Sequence, residues 1–172
     1  MMMRKTLLFF CLIAIALNGN AENYLKKPLK EKGIHFLIET GVGHSYYSSL
    51  GRVYETNQTV YYASSVLGYD IKSLFLGIGG SACRHTKEHL YSFRVFLDTR
   101  YSFRTIPLKP YGEILGGCVG YFKWNDFVKP YCALGVGFHI LPRLSTGIRV
   151  SKVGTLDDKS SMEWSLNVSF KF

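Results

Sequence analysis

Strict alternation of apolar and polar residues is the feature that most constrains the fold of this chain. The clearest apolar set, at the carboxyl end, is Trp164, Leu166, Val168, Phe170 and Phe172. Successive side chains of a β-strand point to opposite faces, so such a segment has one apolar and one polar face. The segment His89–Phe103 repeats the pattern. Soluble sandwich strands usually have about 5–6 residues, whereas a tilted strand that crosses a bilayer has roughly 9–11, and the second length fits better.

The same alternation predicts eight strands along the chain. Their approximate ranges are 33–46, 58–70, 72–84, 89–103, 109–123, 130–140, 143–153 and 161–172. Longer or more polar connections, at 47–57, 84–88, 124–129 and 154–160, alternate with short breaks at 70–73, 104–108 and 141–142. Short periplasmic turns and longer outer loops are typical of outer-membrane barrels, and closure leaves no unpaired edge in lipid. The sequence therefore predicts an all-β fold, an eight-stranded antiparallel up-and-down transmembrane β-barrel.

The first 21 residues have the features of a signal peptide. Arg4 and Lys5 precede the apolar run Leu7–Leu17, and small residues follow where a signal peptidase reads the chain. As a helix this run spans roughly 16 Å, about half of a bilayer core. An uncleaved anchor is the alternative. We expect a signal peptide at 1–21, a periplasmic tail at 22–32 and the barrel at 33–172.

Composition excludes several classes of protein. The 172 residues suit one domain, and a chain that is 47% hydrophobic and 15% aromatic is not disordered. The net charge of +9 is not arranged on any recognisable nucleic-acid-binding module. Basic residues on the loop side instead suit lipopolysaccharide phosphates, with solubility alone as the alternative.

The cysteines indicate neither a disulfide scaffold nor a metal site. After the signal peptide only Cys83, Cys118 and Cys132 remain, an odd number at wide spacing. No CxxC pair or His/Cys cluster at zinc spacing occurs. We therefore expect no metal and no cofactor, and a Cys118–Cys132 bridge stays open.

Aromatic residues and glycines follow the strands. The loop-end aromatic tier is Tyr46, Tyr47, Tyr61, Tyr91, Tyr121, Phe122, Trp124, Tyr131 and Trp164. The turn-end tier is Phe36, Tyr69, Tyr101, Phe103, Tyr111, Phe138, Phe170 and Phe172. Two tiers suit two membrane interfaces. The glycines predicted to line a narrow lumen are Gly41, Gly43, Gly77, Gly79, Gly80, Gly116, Gly117, Gly120, Gly135 and Gly137.

Charged residues on the polar faces define a candidate lumen site. They are Glu39, Arg94, Asp98, Arg100, Arg149 and Glu163, with Asn167 and Glu113 beside them. An eight-stranded barrel is filled by its own side chains, so these charges are predicted to form a buried ion-pair network. Conduction through the lumen is the alternative.

The carboxyl-terminal strand carries a family resemblance. The alternating set Trp164, Leu166, Val168, Phe170 and Phe172 resembles the assembly signal that the barrel-insertion machinery reads in bacterial outer-membrane barrels. With the export signal and eight strands, the chain resembles the small outer-membrane β-barrel superfamily, which includes the outer membrane protein A barrel and the outer membrane protein X group.

The resemblance implies a location and a set of partners. The protein is expected in the outer membrane as a monomer, in contact with membrane lipid and lipopolysaccharide. It is also expected to depend on periplasmic chaperones and the barrel-assembly machinery. The implied role is structural or a surface interaction, without catalysis.

An enzymatic alternative rests on barrels of this kind that modify lipid A with a His, a Ser and a carboxylate. The loop-end rim here offers His44, Ser45, His85, Glu88 and His89. A nucleophile needs a base within hydrogen-bond reach, and the adjacent His44 and Ser45 point to opposite faces. The other three are expected to be solvated loop residues. We therefore predict no catalytic residues, with a lipid A-modifying enzyme, a small passive pore and a soluble β-sandwich as alternatives.

Overall fold

The computed structural model describes residues 32–49, 52–87, 90–103, 109–122, 128–154 and 160–172. The predicted signal peptide and most of the predicted tail lie outside these residues. Within the described ranges, no helix has the length and apolarity that a membrane span requires. The eight strands are β1 Lys32–Ser49, β2 Arg52–Ile71, β3 Leu74–His85, β4 Leu90–Ser102, β5 Pro110–Tyr121, β6 Lys129–Leu141, β7 Leu144–Val153 and β8 Ser160–Lys171.

These strands form one closed antiparallel barrel. Each strand pairs with the next, and β1 also pairs with β8, which closes the sheet. The predicted fold class is therefore confirmed, and most strand limits agree to within two or three residues. We call the end with the β2–β3, β4–β5 and β6–β7 connections the turn end, and the opposite end the loop end. The start of β1 and the end of β8 both lie at the turn end, as an even number of strands requires.

The first hairpin differs from its prediction. The sequence predicted a connection at 47–57, but β1 continues to Ser49 and β2 begins at Arg52, so the two strands pair as far as Ser49 and Arg52. The segment RVYETNQTV contains β-branched and aromatic residues, and pairing with β1 stabilises such residues in a strand despite their polar neighbours. The hairpin also extends past β3, whose last partner on β2 is Val60.

Alternation divides each strand into a lumen face and an outward face. Where the structure describes side chains, even-numbered residues of β2 and β4 and odd-numbered residues of the other strands face the lumen, and most of them are buried. Leu115 is 1% exposed on the lumen side, whereas Leu134 is 64% exposed on the outward side. The apolar part of the lumen is a cluster of packed side chains, which comprises Leu37, Val66, Phe75, Phe96, Leu115, Val119, Tyr131, Ala133 and Val153.

Some aromatic and glycine predictions were wrong about the face. Tyr111, Tyr121 and Tyr131 point into the lumen rather than outward, because they occupy odd-numbered positions of β5 and β6. Gly80, Gly116 and Gly120 face outward rather than lining the lumen. The sequence of β5, PYGEILGGCVGY, alternates poorly, so it did not indicate which of its residues face the lumen. Trp124 and the side chain of Tyr47 lie outside the described residues.

Candidate functional site

All six charged residues predicted for the lumen lie inside the barrel, each at most 7% exposed. They form two groups at different heights. The central cluster consists of Glu39, Asp98, Arg100, Glu113 and Arg149. The loop-end pair consists of Arg94 and Glu163.

Arg100 is the most connected member of the central cluster. Its Nη2 donates to Glu39 Oε2 at 3.0 Å and to Asp98 Oδ2 at 2.8 Å. Its Nε donates to both oxygens of Asp98, at 3.1 and 3.0 Å. Glu113 Oε2 lies 3.4 Å from the same Nη2. One guanidinium on β4 therefore contacts carboxylates on β1, β4 and β5.

Arg149 completes the cluster from β7. Its Nε donates to Glu113 Oε1 at 2.7 Å, and its Nη2 lies 2.7 Å from Glu39 Oε1. Its Nη1 donates to the Tyr62 hydroxyl at 3.4 Å. Glu39 thus bridges the two arginines, and three carboxylates share two guanidiniums. Because the members come from four strands around the barrel, their ion pairs cross the lumen and occupy its middle.

The loop-end pair is simpler. Arg94 donates from Nη2 to Glu163 Oε2 at 2.7 Å and from Nη1 to Glu163 Oε1 at 3.4 Å. The Arg94 guanidinium also lies 5.0 Å from the centroid of the Tyr131 ring. The fork of an arginine matches the two oxygens of a carboxylate, so both Glu163 oxygens are bonded to Arg94, while Arg94 Nε is buried without a hydrogen-bond partner among the described residues.

A third polar group lies at the turn end and was missed in the sequence. Lys171 Nζ donates to Asp70 Oδ1 at 2.7 Å, and His35 Nε2 lies 3.3 Å from Asp70 Oδ2. His35 Nδ1 is 2.9 Å from the main-chain oxygen of Phe172. The parity of His35 and Lys171 on their predicted strands indicated the lumen face, whereas Asp70 had been assigned to a turn.

The two described histidines of the loop-end rim, His44 and His85, point to opposite sides of the barrel wall. His44 faces outward against the rings of Tyr46 and Trp164, while Ser45 is buried in the lumen, so the prediction that they point to opposite faces is confirmed. The prediction for His85 was wrong, because β3 continues to this residue and turns its ring inward, where it is 3% exposed. His85 Nε2 lies 3.0 Å from Ser92 Oγ. Glu88 and His89 lie outside the described residues.

Among the described residues, no third side chain is hydrogen-bonded to the His85 ring. His85 Nδ1 is buried and has no hydrogen-bond partner among the described residues. Ser92 is itself only 2% exposed. The arrangement therefore holds a histidine and a serine in contact, but without the carboxylate and the open approach that an activated nucleophile needs.

Metal-binding groups are absent from the part of the chain that the structure describes, since no three His, Cys, Asp or Glu side chains there are placed to hold an ion. Cys83, Cys118 and Cys132 are free thiols. Cys118 lies opposite Pro130 and Cys132 opposite Gly116, so the two outward thiols are diagonal neighbours on adjacent strands.

Solved structures of the same fold are similar to this chain. The crystal structure of Neisserial surface protein A has 19% identity and a TM-score of 0.53, over 81% of this chain and 99% of that one. The outer-membrane enzyme PagL has 12% identity and a TM-score of 0.61, over 78% and 98%. Ail of Yersinia pestis, in complex with the heparin analogue sucrose octasulfate, has 16% identity and a TM-score of 0.53, over 83% and 100%.

These similarities define a class of fold. No protein-family model and no curated protein matches the chain. At the identities found, the likeness concerns the fold, which is that of the small eight-stranded outer-membrane β-barrels. The proteins with this fold include surface proteins and an enzyme, so the role of this chain has to be argued from its own residues.

Proposed function

We propose that this protein is an integral outer-membrane β-barrel with a structural or surface-interaction role and no catalytic activity. An amino-terminal signal peptide exports it, and barrel-assembly machinery with periplasmic chaperones inserts it as a monomer. The turn end lies in the periplasm, because two of its three connections have only two residues, Lys72–Ser73 and Pro142–Arg143. The loop end then faces the cell exterior.

The outward face supports a membrane location. Its most exposed apolar side chains include Leu97, Ile114, Leu134 and Val136, which are 60–67% exposed. Exposed aromatic rings stand near both ends of the barrel, such as Tyr91 and Trp164 at the loop end and Tyr69 and Phe103 at the turn end. A contiguous apolar surface of this extent is not stable in water, whereas it matches the lipid-facing band and aromatic girdles of transmembrane barrels.

The central cluster is the observation that carries the proposed function. Arg100 and Arg149 join carboxylates from β1, β4 and β5 across the middle of the lumen. Moving an ion through this level requires several buried ion pairs to separate, and breaking such a pair costs about 3–5 kcal/mol. The cluster therefore supports a sealed scaffold over a passive pore.

The rim residues support a role without catalysis. Among the described residues at the loop-end rim, His85 is the histidine whose ring lies within hydrogen-bond distance of a hydroxyl group, that of Ser92. Both side chains are enclosed in the lumen, out of reach of a lipid that surrounds the barrel. The neighbours with this fold include surface proteins, which favours an interaction at the cell surface.

The experiment has three arms, two on the mature protein refolded in detergent and one on cells that express it. Electrophoresis without boiling should give a compact band that shifts on boiling. Planar bilayers containing the protein should show no discrete conductance steps, and lipid A from expressing cells should keep its mass.

Each contrary result has its own meaning. No gel shift, together with full solubility in plain buffer, would contradict the membrane barrel and favour a secreted β-sandwich. Discrete conductance steps would instead establish a pore. A new lipid A species would establish an enzyme, and Ser92→Ala and His85→Gln would then show whether the buried pair is responsible.

A further inference from the structure

A cleft indents the outward face of the barrel near its loop end. Its volume is about 330 Å³, within the range of about 300–1,000 Å³ for small-molecule pockets. Its outward-facing lining residues are Phe93, Val95, Cys118, Gly120, Phe122 and Val128, and the lumen-facing Tyr121 also borders it. None of these residues carries a charge, and the cleft lies in the belt that the proposed function places in lipid. We call it the β5 cleft.

The β5 cleft exists because three of the outward positions of β5 hold glycine. Gly112, Gly116 and Gly120 face outward at every fourth position, and a Cβ atom added at any of them would meet nothing within 4 Å. The inward Gly117 differs, since a Cβ atom there would lie 2.0 Å from the Val95 carbonyl oxygen. The outward glycines thus leave open space beside Phe93 and Val95 of β4.

A basic side chain lies on the outward face two strands from the cleft. Arg84 is exposed on β3 and lies opposite Tyr91 of β4. The main-chain nitrogen of Phe122, a lining residue, donates to the oxygen of Tyr91 at 3.2 Å. Because neighbouring strands are about 4.8 Å apart, the main chain of Arg84 lies roughly 10 Å from that of Phe122, so one lipid molecule can contact both.

We propose that the β5 cleft binds one acyl chain of lipid A, with Arg84 contacting a phosphate of the same lipid. This inference rests on the proposed function, which places the loop end in the leaflet that carries lipopolysaccharide. Anionic headgroups attract Arg and Lys at a membrane surface. Hydrocarbon tails are as apolar as the cleft wall, so apolarity alone does not select one lipid. Close packing in the cleft and the phosphate contact make lipid A bind in preference to other membrane lipids.

The test measures lipid retention by native mass spectrometry. The refolded barrel in neutral detergent is titrated with purified bisphosphorylated lipid A and, in parallel, with phosphatidylcholine and phosphatidylglycerol. Lipid A should be retained over both phospholipids. Gly120→Leu fills the cleft and should weaken lipid A retention about tenfold, which corresponds to about 1.4 kcal/mol.

Gly112→Leu is the matched control. This glycine is also outward and unobstructed, but it lies toward the turn end of β5 and does not line the cleft. It should leave lipid A retention unchanged. Arg84→Gln should lower retention of lipid A several-fold while leaving phosphatidylcholine unaffected. If Gly120→Leu does not refold, Cys118→Phe fills the same cleft from the next outward position.

Several results would overturn the inference. One is equal lipid A retention by Gly120→Leu, Cys118→Phe and wild type. Equal retention of lipid A and phosphatidylcholine by the wild type, or of phosphatidylglycerol alone, would remove lipid A as the occupant. A wild-type dimer that Gly120→Leu dissociates, without any lipid effect, would assign the cleft to a second copy. If the wild type shows the gel shift on boiling but no retention, this inference fails while the proposed function stands.

Discussion

At the centre of the lumen two guanidiniums are shared among three carboxylates, whereas at the loop end one guanidinium faces one carboxylate. Each central group therefore has several partners, and replacing one of them disturbs all the others. The loop-end pair has Ser45, Ser81, Val119 and Ser151 as its partners on the neighbouring strands, none of them charged, so it behaves as a unit. Burial alone therefore does not determine how much a charged side chain contributes to stability. That contribution depends on how many other charges lose a partner when the side chain is replaced.

The largest expected effect is the difference in stability loss between Arg100→Met in the central cluster and Arg94→Met in the loop-end pair. Arg100→Met leaves Glu39, Asp98 and Glu113 with Arg149 as their only cation in the cluster, whereas Arg94→Met leaves Glu163 alone. Breaking a buried pair costs about 3–5 kcal/mol. We expect Arg100→Met to lower the free energy of unfolding by at least the upper value and Arg94→Met by about the lower one, measured by urea unfolding in micelles. Equal losses would contradict the difference between the two groups.

The next effect tests whether the loop-end pair is separable. Replacing a buried pair with apolar side chains of similar volume is often neutral, so the double variant Arg94→Met with Glu163→Leu should lie within about 1 kcal/mol of wild type. Double-mutant analysis then gives a large coupling energy. Arg100→Met with Glu39→Leu is the control, because Asp98 and Glu113 still face a single arginine. Its stability should stay several kcal/mol lower. If the control variant is as stable as the wild type, one ion pair of the central cluster can also be replaced without affecting the other charges.

The smallest effect compares two glutamates inside the central cluster. Both glutamates contact both arginines, but Glu39 lies 3.0 and 2.7 Å from them, whereas Glu113 Oε2 lies 3.4 Å from Arg100 and has no hydrogen-bond partner among the described residues. Hydrogen bonds to charged groups contribute about 1.5–3 kcal/mol. Either substitution removes one negative charge, so the difference reflects these contacts: Glu39→Gln should cost that much, and Glu113→Gln should cost less than about 1 kcal/mol. The same urea titration measures both, and the reverse order would refute this view of the cluster.

Alternation predicted the fold and the lumen face of the charged residues with few errors. In β4 and β8 large apolar residues occupy every second position, so parity alone places Arg94, Arg100 and Glu163 inside. In β5 the outward positions hold glycines, and the same rule did not place Gly116, Gly120 or Tyr111 on the correct face. Partners could not be predicted either, because alternation gives the face of a side chain but not its neighbour. Which charges meet depends on strand stagger and barrel closure.

The ion pairs of the lumen join residues that are distant along the chain. Arg94 and Glu163 are 69 positions apart, and Arg100 and Glu39 are 61 positions apart. Glu39 and Glu163 belong to β1 and β8, the two strands whose pairing closes the sheet. A partly assembled sheet therefore holds unpaired charges that only closure neutralises. Contacts of such long range slow folding, and they also make the final step cooperative, so that opening the barrel at one seam exposes charges on its opposite wall.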